Sequence, residues 1–360
     1  MSVLCGQIQK LLVATLLGQE QIVMKPWSPL HAHLHQTLRS RRWGNHLTPQ
    51  PAASMLLPSQ ARLLVGVSGG QDSQCLLRLL VDLQPKWQWQ IHVIHCNHCW
   101  REDAAANADF VAQWTATLNL PCVVKVAATA LESEAAARQW RYQVFGQTAQ
   151  KLGCTHVVTG HTASDRAETL LFNLVRGSGL DGLQALAWQR SLSPDTPHIS
   201  LVRPLLDVTR EQTGNFCQAY NLPIWDDTTN GDRTYRRNRL RLDVLPILRS
   251  HFNPRVDSTL AQTAEIVAAE VAYLDTEADR IYEQCVVANQ VQRRSLQAVP
   301  LALQRRVIRQ WLMSQLPTAP SFDQVEKVLT LLAAPHRSQT DPFPGGMIAV
   351  VDGPWMRLQT

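Results

Sequence analysis

The sequence predicts an α/β protein in which a doubly wound parallel sheet is followed by a smaller, mainly helical domain. Three observations carry that expectation. An apolar run at Leu63–Val67 passes through Ser68-Gly69-Gly70 into a helical pattern. From residue 61 to about 160, short apolar runs alternate with helical stretches, the pattern of crossover units in a parallel sheet. Past Pro246 the alternation gives way to helical periodicity. A chain of 360 residues has room for two domains. The expected division is an N-terminal extension and linker over 1–60, an α/β domain over 61–250 and the helical domain over 251–360.

The N-terminal 60 residues carry no recognisable chemistry. The apolar patch Leu11–Leu17 follows Lys10 but lacks the charged start and cleavage site of a signal peptide. Met24 offers a second start, and Pro49–Pro58 reads as a loose linker. Leu63–Val67 reads as a buried parallel strand. Gln71–Leu80 then opens a helix, with Cys75, Leu76, Leu79 and Leu80 at helical spacing. Ile91–His95, Cys122–Val126 and Thr155–Gly160 are the next strands, and Ala104–Leu118 and Glu132–Lys151 the helices between them. In the second domain, Val256–Val287 is a long helix with Leu260, Val267, Val271, Leu274 and Ile281 at near-heptad steps. Leu301–Leu316 and Phe322–Leu332 are further helices, and 342–360 is a terminal hairpin.

Composition sets looser bounds. A net charge of +5 and a pI near 8.8 permit a nucleic-acid partner without demanding one. Eight scattered cysteines, with Cys75, Cys154 and Cys217 inside apolar segments, argue for a reducing cytoplasm over a disulfide framework. No apolar run approaches the ~18 residues that a membrane span needs.

The chemistry-bearing motifs fall at the carboxyl ends of the expected strands, where open α/β sheets bind ligands. Ser68, Gly69, Gly70, Gln71, Asp72 and Ser73 form a glycine turn at a helix start, a cradle of backbone N–H groups for anions. Gly69 and Gly70 admit phosphate oxygens where a Cβ would clash. Asp72 puts a carboxylate beside the phosphates, a place suited to a bridging Mg²⁺. The loop is not the common nucleotide motif, which ends in Gly-Lys-Ser/Thr. After the second strand come His95, Asn97, His98 and Arg101, groups able to hold a base or phosphate. Cys96 and Cys99 have zinc-like spacing, but no second pair follows at a fitting distance. After the fourth strand, His161, Asp165 and Glu168 fall at one-turn steps. They are suited to hold a metal, an amine or a proton in transit. Arg176-Gly177-Ser178-Gly179 is a further anion-friendly turn. Arg233, Arg236, Arg237, Arg239 and Arg241 place five guanidiniums within nine residues, with Tyr235 available to stack. That is a local footprint for RNA phosphate.

Ser-Gly-Gly-x-Asp-Ser behind a strand resembles the signature of the PP-loop ATP pyrophosphatases, which have an adenine nucleotide alpha hydrolase-like fold. Members split ATP into AMP and pyrophosphate and adenylate a carbonyl-type oxygen. The motifs at 95–101, Ala137-Arg138-x-x-Arg141-Tyr142, Gly160-His161 with Asp165 and Glu168, Arg176–Gly179, Arg203-Pro204-Leu205-Leu206 and 226–241 occur in this chain in the order found in bacterial tRNA(Ile)-lysidine synthases. The resemblance runs from about Leu63 to the C-terminus. One departure stands out: the family carries paired aspartates before Ala-Glu-Thr, and here the first is Ser164. By resemblance Asp165, in the second place, is the functional carboxylate.

The resemblance implies a cytoplasmic, ATP- and Mg²⁺-dependent ligase with no membrane partner; the oligomeric state is open, a homodimer included. It implies adenylation of the wobble cytidine of tRNA(Ile) with a CAU anticodon, then attack by L-lysine to give lysidine. The ATP site is then Ser68–Ser73 with His95 and Asn97, and Asp72 is the metal ligand. Asp72, Arg138, Arg141, His161, Asp165 and Glu168 are the catalytic candidates. Arg233, Arg236, Arg237, Asn238, Arg239 and Arg241 are the tRNA contacts, and the C-terminal domain recruits the tRNA. Two other readings remain: an ATP-dependent tRNA thiolase, for which Cys96 and Cys99 are the sulfur candidates, and a non-catalytic tRNA-binding protein.

Overall fold

Residues 27–43, 54–129, 131–226, 231–234 and 236–359 are described by a computed structural model of the chain. The apolar patch at 11–17, much of the expected linker, residues 227–230 and Tyr235 lie outside the described residues. The chain forms two compact units, and neither is one continuous stretch. The first takes the described residues up to Thr162 and those from Trp188 to Asp226; the second takes Ala163–Ala187 and the residues from Gly231 onward. The sequence places a boundary near residue 250, whereas compactness assigns 163–187 to the C-terminal unit. The reason is packing: helix Ala163–Val175 lies along helix Val256–Cys285.

The first unit begins with helix Pro29–Ser40, capped by Ser28 and anchored by buried Leu34 and Leu38. Its polar, histidine-rich pattern hid it from the sequence reading. It is tied to the next helix by His31 Nε2, 3.0 Å from Asp82 Oδ2. A short antiparallel pair follows, β1 (Arg42–Trp43) with β2 (Ser54–Met55). The main sheet has six strands: β3 (Arg62–Gly66), β4 (Gln90–Asn97), β5 (Cys122–Val126), β6 (His156–Thr159), β7 (Gln189–Ser191) and β8 (Ser200–Val202). Their spatial order is β5-β4-β3-β6-β8-β7, all parallel except β7. All four expected strands are present. The three-residue β7 and β8 were too short to show a period in the sequence.

β3 explains why these strands read as continuous apolar runs. Leu63 and Val65 pack on one side with Leu76, Leu79 and Leu80 of helix Gln71–Trp87. Leu64 packs on the other with Val144, Phe145 and Ala149 of helix Glu134–Leu152. A sheet covered on both faces buries both alternating sets of side chains in the middle of its central strands, as at Leu63, Leu64 and Val65. The chain leaves β3 for β4 and β5 on one side and returns to β6 on the other. That reversal opens a crevice at the carboxyl ends of β3 and β6.

The second unit is built on helix Val256–Cys285. Its buried line runs through Asp257, Ala261, Ala264, Val271, Ala278, Ile281 and Cys285. Of the expected stripe, Val271 and Ile281 lie on this line, and Leu260, Val267 and Leu274 are half-buried beside it. The alanines matter because small side chains at a contact let helix axes approach. The terminal hairpin is present as β11 (Ile348–Asp352) and β12 (Trp355–Gln359). It is joined by β9 (Val286–Val287) and β10 (Gln290–Gln292) in a four-stranded antiparallel sheet. The unit is therefore helical with a small sheet, packed around buried Trp311, Val307, Val351 and Met356. Among the described residues, no helix is long and apolar enough to cross a membrane, and every cysteine is free.

Candidate active site

The glycine loop begins where β3 ends. Gly69 has φ +92°, and a Cβ there would lie 2.6 Å from Asn107 Oδ1. Both backbone and space therefore require glycine. Gly70 is the N-cap of helix Gln71–Trp87 and has no side-chain cap, so first-turn N–H groups are left to meet an anion. The loop holds its own shape. Ser73 Oγ donates to Gly70 O at 2.8 Å, and Ser68 Oγ accepts from Gly70 N at 3.3 Å. Two neighbours missed in the sequence brace it from outside. Asn107 Nδ2 donates to Ser68 O at 3.2 Å, and Trp225 N donates to Gly69 O at 2.9 Å. Neither residue lies in a motif, so no local signal marked them.

Asp72, in the first turn, is held by helix Arg210–Ala219. Arg210 Nε donates to its Oδ2 at 3.0 Å, and the Thr213 hydroxyl donates to its Oδ1. Gln71 completes the cluster, its amide donating to Arg210 O at 2.6 Å and Thr213 Oγ1 at 2.8 Å. Gln71 thus faces the support of Asp72. A carboxylate fixed beside an anion cradle fits Mg²⁺. Among the described residues no group of three or more His, Cys, Asp or Glu side chains could hold a metal. The ion would therefore take Asp72 together with phosphate oxygens and water, the usual mixed shell of Mg²⁺.

The end of β6 rests on the loop. A Cβ on Gly160 would lie 2.8 Å from Asp72 O, a backbone atom that cannot swing aside. Gly160→Ala is expected to displace the loop and weaken ATP binding at least about tenfold, at a stability cost of about 1–3 kcal/mol. Titration calorimetry with ATP checks the first effect and a thermal melt the second. Next to Gly160, His161 Nδ1 lies 2.9 Å from Thr159 Oγ1.

Strand β4 delivers His95 and Asn97. His95 Nδ1 donates to Val67 O at 2.9 Å, which leaves Nε2 as an acceptor. Burial lowers its pKa and keeps it neutral. Asn97 Oδ1 accepts from Cys99 N at 2.8 Å, so the amide carbonyl shapes the turn. Burial pushes the Cys96 thiol up to about 12, which keeps it protonated at neutral pH. Arg138 and Arg141, from helix Glu134–Leu152, lie over the ring of Tyr142.

The carboxylates Asp165 and Glu168 belong to the second unit. Glu168 is buried and clasped by arginines. Arg241 donates to both its oxygens, at 2.7 and 3.0 Å, and Arg237 Nε approaches Oε2 at 3.4 Å. Arg237 also reaches Thr169 Oγ1 at 3.2 Å. Arg241 lies 4.0 Å from Asp165 Oδ1. The two arginines sit on either side of a helix junction. Arg236–Arg239 is α-helical and Leu240–Val244 is a π-helical turn, a local widening common at functional sites.

The arginine-rich segment therefore divides in two. Arg237 and Arg241 turn inward to Glu168, while Arg233, Arg236 and Arg239 are exposed. Arg233 pairs with Asp243 at 3.1 Å, and Asn238 Nδ2 donates to Asp232 O at 2.8 Å. Ser164 has a local role as well. Burial works against the charge of Asp257, but hydrogen bonds from Arg249 and Ser164 outweigh it and hold the carboxyl below its usual range. An aspartate at 164 would face that carboxylate.

Two family profiles match the chain: one described as a PP-loop domain over residues 41–248, the other as a TilS substrate binding domain over 292–352. The tRNA(Ile)-lysidine synthase of Nostoc sp. is 48% identical over 92% of this chain and 97% of its own length. That of Thermosynechococcus vestitus is also 48% identical, over 92% of each chain. Among solved structures, the U34-tRNA thiolase NcsA of Methanococcus maripaludis, with its [4Fe-4S] cluster, superposes with a TM-score of 0.52. The match is 14% identical and covers 66% of this chain and 76% of that one, so the likeness is one of fold.

Proposed function

Because this chain belongs to the tRNA(Ile)-lysidine synthase family, we propose that it joins L-lysine to C2 of the wobble cytidine of a tRNA(Ile) with a CAU anticodon. The C2 carbonyl oxygen attacks the α-phosphorus of ATP and pyrophosphate leaves. The ε-amine of lysine then attacks C2, a proton is lost and AMP departs. The observation that carries this reading is the uncapped glycine cradle with Asp72 fixed at its edge.

Ser68–Ser73 holds the phosphates through backbone N–H groups, and His95 Nε2 offers an acceptor to the nucleotide. Asp72 would hold Mg²⁺, which when bound would supply charge neutralisation of the leaving pyrophosphate. Arg138, Arg141 and His161 stabilise charge on phosphate or on the activated base. Asp165 attracts the lysine ammonium. Glu168, its charge balanced by Arg241 and Arg237, sets the position of those arginines beside it. In this reading the reaction takes place in the cytoplasm, where tRNA, ATP and free lysine are all present. The cytidine reaches the site from an anticodon loop, where unpaired bases can be splayed out.

Exposed Arg236 and Arg239 contact tRNA phosphates in this reading. Replacing both by Ala should weaken tRNA binding and reduce the salt slope by about 1 for each lost contact. Filter binding across a salt series checks it, and an unchanged slope would move the footprint elsewhere. The reaction is tested with labelled L-lysine, ATP, Mg²⁺ and tRNA(Ile) bearing CAU. ATP-dependent label in the wobble nucleotide supports it. Pyrophosphate release without lysine incorporation would point to another nucleophile.

A further inference from the structure

Two tryptophans and a histidine gather beyond the carboxyl end of β4 in the first unit. The His98 ring lies 5.6 Å from that of Trp100, tilted by 37°, and 5.1 Å from that of Trp140, edge-on at 70°. His98 and Trp100 belong to the turn after β4, and Trp140 to helix Glu134–Leu152. The ligation chemistry uses none of the three. Trp100 is 40% exposed, yet its ring is held in place, because Nε1 donates to Leu131 O at 2.7 Å.

The turn that pairs these rings is strained. Cys99 has φ +59°, left-handed backbone that few residues besides glycine adopt. Asn97 keeps it there by accepting from Cys99 N at 2.8 Å, which leaves His98 and Trp100 side by side. Strain that the surroundings hold in this way gathers at functional sites. His98 contributes a flat ring and no proton. Its Nδ1 is buried without a hydrogen-bond partner. Burial, then Arg141, lowers its pKa to about 4, so the imidazole is neutral at physiological pH.

The place of the rings says what they could hold. β4 neighbours β3, whose end becomes the phosphate loop, and β4 also delivers His95 and Asn97. The exposed indole therefore stands just past the strand end that serves the nucleotide. A fixed aromatic face open to solvent suits a flat ligand with its own π face, and unpaired bases of RNA are such ligands. Splaying one base out of a loop unstacks its neighbours. A rigid ring close to the site offsets that loss by stacking a neighbour again.

We propose that Trp100, backed by His98 and Trp140, is a stacking platform for an unpaired anticodon-loop base beside the wobble cytidine. The choice of RNA as the source of that base rests on the tRNA reading above.

The test compares the full chain with Trp100→Leu, which keeps apolar bulk without a ring, and Trp100→Phe, which keeps a ring face. Filter binding across a salt series reads affinity for tRNA(Ile) bearing CAU, calorimetry reads ATP, and each protein is melted. Trp100→Leu is expected to bind the tRNA about tenfold more weakly, the size of a lost base–aromatic stack. Its salt slope should stay unchanged, because a stacked ring neutralises no phosphate. That is the reverse of the behaviour expected of Arg236 and Arg239. Trp100→Phe should remain within about threefold of wild type, and ATP affinity should not move in either variant. A tRNA affinity of Trp100→Leu equal to that of wild type would overturn the platform. So would a loss confined to ATP, which would give the rings to adenine, or a loss with a smaller salt slope, which would mark a phosphate contact. Should Trp100→Leu fail to fold, Trp100→Gln, suited to an exposed position, takes its place. Labelled-lysine incorporation by the wild-type protein tests ligation, whereas these binding measurements involve no lysine, so failure of that reading and failure of the platform remain distinguishable.

Discussion

Asp72→Asn should lower tRNA-dependent pyrophosphate release by about a thousandfold or more while leaving a folded protein. The carboxylate is the group at the cradle positioned to meet a divalent ion. Pyrophosphate gains charge as the α-phosphorus bond breaks. A site that cannot neutralise that charge loses several kcal/mol of transition-state stabilisation, about 1.4 kcal/mol per tenfold. Asparagine keeps the acceptor for Thr213 but loses the charge and the acceptor facing Arg210, which is partly exposed and can turn to water. The fold is therefore expected to survive, with a melting point near that of wild type. A release rate within tenfold of wild type would remove Asp72 from the reaction. A lost signal accompanied by a collapsed melt would instead assign it to stability, and ATP binding without Mg²⁺ separates the two.

Glu168→Gln should be costly in two measurements at once. The carboxylate is 1% exposed and accepts from two arginines. Removing its charge leaves Arg241 and Arg237 facing a neutral amide. Breaking a buried pair costs about 3–5 kcal/mol. The cost here is expected at about 2–3 kcal/mol, because both arginines retain some contact with water. The same change releases the guanidiniums beside Asp165, so lysine transfer is expected to fall at least about a hundredfold. Denaturant unfolding reads the first effect and labelled-lysine incorporation the second. The reading fails if stability drops while incorporation per folded molecule stays at the wild-type level.

The local motifs were legible because their physics is local. Ser68–Ser73 needs a strand before it, a helix after it and glycine at a positive φ, and all three are written in adjacent residues. Of the expected strands, β3, β4 and β6 are interior to the sheet and were legible because coverage on both faces favours apolar runs, while edge strand β5 was legible from its valines alone. β7, β8, β9 and β10 were not, since two or three residues cannot show a period. Helix Pro29–Ser40 was hidden by its histidines, which are satisfied by Asp82 and Trp87 far along the chain.

The arginine-rich segment shows the limit most clearly. Five guanidiniums in a row of nine residues read as one RNA-facing patch. The structure instead turns Arg237 and Arg241 toward Glu168 and leaves Arg233, Arg236 and Arg239 outside. Position on the helix, including the π-helical turn at Leu240–Val244, sets which face each one occupies. Charge type alone carries no such information.

What the sequence determined by itself is the class of chemistry: a glycine cradle for phosphate, carboxylates one turn apart, a chain built of strand–helix units and the family these identify. Each depends on residues within a turn or two of one another, where spacing translates directly into geometry. Tertiary structure alone decided which groups support that chemistry. Arg210 and Thr213 reach Asp72 across about 140 positions, and Trp140 meets His98 from a separate helix. Long-range partners are chosen by where the fold closes, and no local pattern records that choice.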